Sequence, residues 1–99
     1  MLPFNVKAAQ ILQVKSSSLI QIGDNNRNYT IKLACVEVES ENDQQVKDWL
    51  NKNLPRGQKI NLLPEASEKG ILQAKVIKLG TNKEINRELQ LIGLANYKC

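Results

Sequence analysis

Apolar and polar residues alternate in the first part of the chain, which is the pattern of a β-strand with one buried face. Phe4, Val6 and Ala8 lie two apart. The phase then shifts, so that Ile11 and Val14 become the inward positions. A phase shift of this kind indicates a β-bulge within the first strand.

Turn-forming residues separate this strand from two more. Three serines at 16–18 form a turn before the second strand, and the polar run 23–28 predicts a hairpin loop. The third strand is predicted over 29–38. One face of it carries Ile31, Leu33 and Cys35. We therefore expect the cysteine to be a small core residue.

A helix is predicted after the third strand. Ser40 precedes acidic residues, so we expect its side chain to accept hydrogen bonds from the open backbone N–H groups of the first turn. Apolar residues then recur at helical spacing, namely Val46, Trp49, Leu50 and Leu54. The run 55–57, Pro-Arg-Gly, ends this helix.

The second half of the chain predicts two strands and a second helix. The strands are expected over 58–63 and 71–79, with a polar turn over 65–70 between them. Thr81 and Glu84 have the spacing of a capping box, so the helix is expected to start there. Its apolar stripe consists of Ile85, Leu89 and Ile92, widened by Leu91 and Leu94.

The predicted order of elements is therefore β-β-β-α-β-β-α. Five short strands with a helix after the third are typical of an oligonucleotide/oligosaccharide-binding (OB) barrel. A closed barrel also removes the open sheet edges that a small chain would otherwise have to protect. We predict a mainly β fold, a five-stranded OB barrel, in a single domain over 1–99.

Composition narrows the possible functions. The chain is 41% hydrophobic and 24% charged, with a net charge of +4, which suits a globular protein that could meet an anionic partner. It contains no histidine, which excludes Ser-His and Cys-His nucleophiles. No apolar run approaches ~20 residues and the start has no apolar core, so neither a transmembrane helix nor a signal peptide is expected.

The two cysteines carry little functional information. Their number and spacing fit neither a disulfide scaffold nor a zinc site. Cys99 is expected to be a free thiol or an accident of where the chain was cut.

Three strings, together with the strand order, resemble the staphylococcal-nuclease-like (thermonuclease) domain. They are Thr-Ile-Lys-Leu-Ala-Cys-Val-Glu at 30–37, the run 70–76, and the run 85–95. The last is the strongest, because the family ends its final helix with an asparagine, a leucine and Gly-Leu-Ala. The residues that fit are Asn86, Leu89, Gly93, Leu94 and Ala95, with one extra residue before the glycine. The resemblance covers nearly the whole chain and implies the same OB barrel.

Active members of that family hold calcium with aspartates, and use two arginines and a glutamate against a phosphodiester. The resemblance places the two aspartates of the first hairpin on Ser16 and Ser18, and the third-strand aspartate on Glu37. Calcium favours several carboxylates, and a neutral hydroxyl is a poor substitute. We therefore expect no metal site and no cofactor.

The other family positions are also replaced. The first arginine falls on Lys32, which keeps the charge but loses the bidentate fork, and the second falls on Ile71. The glutamate falls on Ser40, or on Glu41 after a one-residue slip. Because one preorganised electrostatic group can be worth ~10²–10³ in rate, these losses predict little nuclease activity.

Three functions follow as hypotheses. The first is a catalytically degenerate, nuclease-like module that binds protein or nucleic acid, and the second is a weak or metal-altered phosphodiesterase using Lys32, Glu37 and Glu41. The third is a sequence-blind binder of single-stranded nucleic acid. Candidate binding residues are Lys32, Lys69 and Lys75. No membrane and no small-molecule cofactor is expected, and the oligomeric state stays open.

Overall fold

A computed structural model describes residues 7–24 and 27–98. The expectations for Phe4, Val6 and Cys99 lie outside these residues. The strands and helices are β1 Lys7–Val14, β2 Leu19–Asp24, β3 Arg27–Leu33, β4 Val36–Glu37, α1 Asp43–Asn53, β5 Lys59–Glu68, β6 Ile71–Lys78, β7 Lys83–Glu84, α2 Ile85–Leu91 and β8 Asn96–Tyr97.

Five strands close into a barrel in the order β3-β2-β1-β5-β6, and β6 returns to β3. The closing pair is parallel, whereas the other four pairings are antiparallel. This topology confirms the predicted mainly β, OB-like fold with two helices. The short β7 extends the sheet beside β6, and β4 pairs with β8 in a separate two-stranded sheet.

The core is an aliphatic cluster drawn from the inward faces of the strands and from both helices. On α1, the predicted apolar positions Val46 and Leu50 are fully buried, and Trp49 packs half-buried against the same cluster. Leu54, predicted as part of the same face, caps the C-terminus of the helix and is 1% exposed. Burying such side chains is worth about 1.5–3 kcal/mol each. The helical spacing therefore predicted this face of α1 correctly.

The predicted bulge in β1 is confirmed. Ala9, Ile11 and Val14 are buried, and the register with β2 shifts between Ile11 and Gln13. The bulge moves the inward phase by one residue. A second register shift, between Pro64 and Ala66 on β5, had no signal in the alternation.

Two predicted loops are shorter than expected. β2 and β3 pair as far as Asp24 and Arg27, so strand replaces most of the loop predicted over 23–28. The polar turn predicted over 65–70 is wrong, because β5 continues to Glu68 and pairs with β6. Only two residues remain between these strands, and both have a positive φ, as tight hairpin turns require. The prediction failed because the polar residues at the end of β5 have a composition that is also typical of a loop.

Cys35 is not the core strand residue that alternation predicts. β3 ends at Leu33, and Cys35 lies half-buried in the following turn with φ 65°, where it is disulfide-bonded. Ala34 is the buried residue at this turn. A left-handed residue breaks the two-residue period, and alternation cannot reveal such a break in advance.

Neither predicted helix cap forms. Ser40 begins a 3₁₀ turn over Ser40–Asn42 and makes no side-chain cap, and α1 starts at Asp43. Thr81 lies in the turn before β7, and α2 starts only at Ile85. Tertiary pairing of β7 with β6 overrides the local capping signal. Neither helix in the described part of the chain is long and apolar enough to cross a membrane.

The predicted stripe on α2 is half right. Ile85 and Leu89 are buried, but Leu91 is 68% exposed and Ile92 is 46% exposed. The helix ends at Leu91, and Gly93, with φ 81°, turns the chain away. Helical periodicity therefore does not apply to the residues after Leu91.

Among the residues that the structure describes, Asn86 on α2 is the buried polar residue at the parallel seam between β3 and β6. Its side-chain oxygen accepts a hydrogen bond from the backbone N–H of Val76 (2.9 Å). Its amide nitrogen donates to the carbonyl oxygens of Ala34 (2.8 Å) and Ala74 (3.2 Å). The side chain is 0% exposed, so it serves backbone groups that water cannot reach. This one amide holds α2 against both strands of the seam.

Truncation of Leu33 should be costly and truncation of Ile92 should not. We expect Leu33→Ala to lower the free energy of unfolding by ~2–5 kcal/mol, because it opens a cavity at a residue that is 1% exposed. Ile92→Ala should stay within ~0.5 kcal/mol, as for other surface changes. Urea melts of the two variants provide the comparison, and equal losses would show that the core assignment of α2 is wrong.

Replacing Asn86 should be the most damaging polar change. Asn86→Leu keeps the branched shape of the side chain but removes the partners of the Val76 N–H and the Ala34 carbonyl, so we expect a loss of ~2–5 kcal/mol in urea melts. The matched control is Gln90→Leu, which changes an exposed amide on the same helix and should be nearly neutral. A silent Asn86→Leu would contradict the role given to this side chain.

Candidate functional site

The serine loop between β1 and β2 lies where the resemblance places two metal-binding aspartates. The Ser16 hydroxyl accepts hydrogen bonds from the backbone N–H groups of Ser18 (3.3 Å) and Leu19 (3.1 Å). A serine in this geometry stabilises a turn, which is the ordinary structural use of its hydroxyl. The predicted turn at 16–18 is therefore confirmed, and Ser16 is engaged in forming it.

Ser17 connects this loop to α1. It is 6% exposed, and its hydroxyl donates a hydrogen bond to the carboxylate of Asp43, the first residue of the helix. The loop is also tied to β3, because the carbonyl of Ser18 accepts from the Leu33 N–H (2.9 Å). Sequence reasoning missed the pair of Ser17 and Asp43, since 26 residues separate the partners.

The donor set near this loop does not fit calcium. Two positions offer neutral hydroxyls, and Glu37 on β4 is exposed, with its carboxylate 4.0 Å from the Lys98 ammonium. Calcium requires six to eight oxygen ligands and prefers clustered carboxylates. Within 7–24 and 27–98, no three side chains of histidine, cysteine, aspartate or glutamate converge as metal ligands would.

The other positions that the resemblance assigns lie on β3, on β6 and in the 3₁₀ turn before α1. Lys32 is exposed on β3, between Leu19 of β2 and Gln73 of β6. Ile71, the position that the resemblance assigns to the second arginine, begins β6. Ser40 and Glu41 are exposed in the 3₁₀ turn before α1. The structure thus presents one cation and scattered carboxylates at these positions.

Lys32 and Lys75 share the outer face of the parallel seam. Lys32 is in register with Gln73, and Lys75 lies two residues further along β6 on the same face. The inward face of the seam carries Ile31, Leu33 and Ala74, all at most 1% exposed. Alternation along two strands therefore separates the apolar core from the cationic surface.

Tyr97 of β8 lies beside this surface with two cations near its ring. The Lys75 ammonium is 5.9 Å from the ring centroid, and the Arg87 guanidinium of α2 is 5.4 Å from it. Both distances are within the range of cation–π attraction. The Tyr97 hydroxyl donates to a Glu84 carboxylate oxygen at 3.0 Å, which fixes the ring's orientation.

The charge of Lys75 is supported by these neighbours. Its hydrogen bond with Tyr97 raises the pKa of Lys75, slight burial opposes that change, and the carboxylates of Glu65 and Glu84 add to it. A lysine with a raised pKa is fully charged at neutral pH. The ammonium therefore remains available to an anion under ordinary conditions.

We define the seam patch as Lys32, Lys75, Arg87 and Tyr97. The sequence named Lys32 and Lys75 as candidate binding residues and did not name Arg87. The convergence of these side chains with Tyr97 depends on contacts between β6, α2 and β8. Lys69 lies in the turn between β5 and β6, at the opposite end of β6 from Lys75. The structure therefore does not bring Lys69 into this patch.

A separate open groove of about 460 Å³ lies between β1, the ends of β2 and β3, and the start of β5. Its charged lining residues are Asp24, Arg27 and Lys59. One carboxylate there offsets one of the two cations. The groove has no aromatic side chain comparable to Tyr97 of the seam patch. Its lining side chains in the described part of the chain are aliphatic, amide or charged.

No known protein family matches this chain, and no curated protein is significantly similar to it in sequence. The class of protein that the structure itself defines is an OB-like, five-stranded barrel with two helices.

The hydrogen bond between Ser17 and Asp43 should couple the loop to α1. We expect Asp43→Ala to cost ~1–3 kcal/mol, because it leaves a buried hydroxyl without its acceptor. Ser17→Ala in the same chain should add little further loss, so a double-mutant cycle in urea should show that coupling. Asp48→Ala, which removes only an exposed i,i+4 contact with Gln44, is the control. Strictly additive losses would contradict the coupling.

Proposed function

We propose that this protein is a non-catalytic binding module that takes an anionic partner, foremost single-stranded nucleic acid, on the seam patch. The observation that carries this proposal is Tyr97 with the cations of Lys75 and Arg87 at 5.9 Å and 5.4 Å from its ring. Proteins that bind single strands combine basic surface with aromatic rings on which bases stack. Lys32 extends the basic surface across the seam.

We further propose that the barrel is a degenerate relative of staphylococcal-nuclease-like domains. The string that suggests this kinship has a structural role here, which supports the idea of a retained framework. The Asn86 amide donates a hydrogen bond to the Ala34 carbonyl at the seam. After α2, the N–H groups of Leu94 and Ala95 both donate to the Leu89 carbonyl (3.0 and 3.2 Å), around the turn at Gly93. Framework residues of this kind would persist when catalytic ones are replaced.

The replaced positions favour binding over catalysis. A nuclease needs a cation and guanidinium groups to stabilise a pentacoordinate phosphate. Here Ser16 supports a turn, Ile71 is aliphatic, and Lys32 offers a single point charge without a fork. A phosphate could therefore be attracted to this face without being cleaved.

The binding test is fluorescence anisotropy with a labelled single-stranded oligonucleotide at ~50 mM salt. We expect micromolar or tighter affinity that falls with salt, and a salt slope reduced by ~1 in Lys75→Ala and in Arg87→Ala. Tyr97→Leu should weaken binding by ~1–3 kcal/mol through lost stacking. The matched control is Lys52→Ala, an exposed lysine of α1, which should bind like the unchanged protein.

Two results would count against the proposal. Unmeasurable affinity at low salt would exclude nucleic acid, and titration with an acidic peptide would then test the protein partner. Equal binding by the Lys75→Ala, Arg87→Ala and Lys52→Ala variants would place the ligand elsewhere on the barrel. Thermal melts of each variant show whether a loss of binding reflects unfolding.

The alternative is a weak phosphodiesterase built on Lys32, Glu37 and Glu41. All three side chains are exposed. We expect cleavage of fluorescent DNA or RNA to remain at background with calcium at any pH. Turnover that disappears in a Lys32→Ala, Glu37→Ala double variant would establish the enzyme instead, because both changes remove charge from the surface and leave the core intact.

A further inference from the structure

The end of α2 exposes two neighbouring apolar side chains, Leu91 and Ile92, which we call the apolar end. In the part of the chain that the structure describes, they are the large apolar side chains that lie exposed. The chain continues from them into Leu94 and Ala95, which pack partly buried against the core. Single apolar side chains on a surface are ordinary, but an apolar patch bordered by polar groups is typical of a surface that contacts another molecule.

The backbone that follows α2 holds this region in place. Four consecutive backbone N–H groups, at 92–95, donate to carbonyl oxygens of the last turn of the helix. Gly93, with φ 81°, makes the turn. Because this segment is already ordered, a partner that binds it loses little affinity to the ordering of the chain. The apolar end is therefore preformed.

A groove of about 110 Å³ begins at Gly93, directly after the apolar end. Its lining residues come from two segments, namely 93–96, and Glu37, Glu39 and Asn42 around β4 and the 3₁₀ turn. The first segment contributes the aliphatic side chains of a leucine and an alanine, and the second contributes two exposed carboxylates. We call this groove the acidic groove.

The carboxylates of the acidic groove are accessible to a cation from outside. Between Lys32 and Lys47 the chain has four carboxylates and no basic residue, although its net charge is +4. The Lys98 ammonium lies 4.0 Å from the Glu37 carboxylate, but both side chains are mostly exposed, so this pair is weak and easily exchanged. Among the described residues, the Glu39 carboxylate has no ion-pair partner.

We propose that the apolar end and the acidic groove form a second interaction surface, which binds a partner polypeptide through a segment that carries arginine or lysine beside apolar residues. The aliphatic stem of the basic side chain lies along the leucine and alanine of the groove, as such stems do on apolar surfaces. Its cationic head contacts Glu37 and Glu39, and a neighbouring apolar side chain packs on Leu91 and Ile92. Opposite charges across such a contact select the partner.

Charge and size favour this occupant over two others. An anionic membrane surface would be repelled by the carboxylates of the acidic groove, which adjoin the apolar end. A second copy of this chain would need to bury ~800 Å² on each partner for a stable dimer, which is far more than two side chains and a groove of about 110 Å³ provide. A short basic and apolar segment meets neither obstacle.

This second surface is distinct from the seam patch. In the ladder of β4 with β8, Glu37 is paired with Asn96 and Val36 with Tyr97. Successive residues of a strand point to opposite faces, so Asn96 lines the acidic groove while Tyr97 belongs to the seam patch. The two surfaces also differ in the sign of their charge, so they take different ligands. The inference therefore goes beyond the proposed function and does not depend on it.

Binding is tested by fluorescence anisotropy with a short labelled peptide of leucine and arginine at ~50 mM salt, where surface charges are little screened. Two matched peptides have serine in place of leucine, or glutamate in place of arginine. We expect saturable binding of the first peptide, about tenfold tighter or more than that of either matched peptide, because both the apolar and the cationic contact are needed.

Variants and amide shifts locate the peptide. Leu91→Ala with Ile92→Ala should lower its affinity about tenfold by removing the apolar contact. Glu37→Gln with Glu39→Gln should lower it about tenfold at low salt and flatten its salt dependence. The matched control is Asp48→Asn, which removes an exposed carboxylate of α1 and should change nothing. In the unchanged protein, the peptide should shift the backbone amides of the acidic groove, which requires no variant.

Several results would overturn this inference. They include no binding of the leucine and arginine peptide at low salt, binding that both double variants leave unchanged, and amide shifts that avoid the acidic groove. Sedimentation that shows a dimer lost on Leu91→Ala with Ile92→Ala would assign the surface to a second copy of the chain instead. Sedimentation of the protein with anionic phospholipid vesicles, lost in the same variant, would assign it to a membrane.

Discussion

The closure of the barrel depends on the parallel pair β3–β6, whose backbone hydrogen-bonding groups need partners inside the core. β3 and β6 close the sheet over only three registered pairs. Asn86 then supplies hydrogen bonds to Val76, Ala74 and Ala34 at the seam, inside a region from which water is excluded. A buried amide with three partners is stabilising, whereas the backbone groups it serves would each be costly if left unpaired. The position of α2, and hence of Arg87, follows from this contact.

The same two strands carry apolar side chains on their inward face and cationic side chains on their outward face. Inward side chains complete an aliphatic core, and outward ones place Lys32 and Lys75 on a common surface. α2 and β8 then add Arg87 and Tyr97 to it. The serine loop is engaged in its own turn and in a hydrogen bond to Asp43. The hydroxyls of Ser16 and Ser17 therefore serve the framework of the barrel.

The order of the elements, the bulge in β1 and the buried face of α1 were predictable from the sequence, because each depends on a local period. The failures occurred where long-range contacts override local signals. Pairing with β6 extends β5 through a polar stretch, and β7 displaces the start of α2 beyond Thr81. The position of Cys35 could not be predicted, because a residue with a positive φ interrupts the two-residue period of a strand. The position of Tyr97 could not be predicted either, because a strand of two residues is too short to show a period. Lys32 and Lys75 were predictable as outward residues, but their convergence with Arg87 was not.

The decisive measurement is a set of backbone amide shifts from a ¹⁵N-labelled sample, titrated first with an unlabelled single-stranded oligonucleotide and then with calcium. We expect the oligonucleotide to shift the amides of Lys32, Lys75, Arg87 and Tyr97, and calcium to leave those of Ser16, Ser18 and Glu37 unmoved. Calcium-dependent shifts at those three positions, or oligonucleotide shifts confined to the groove of Arg27 and Lys59, would contradict binding at the seam patch.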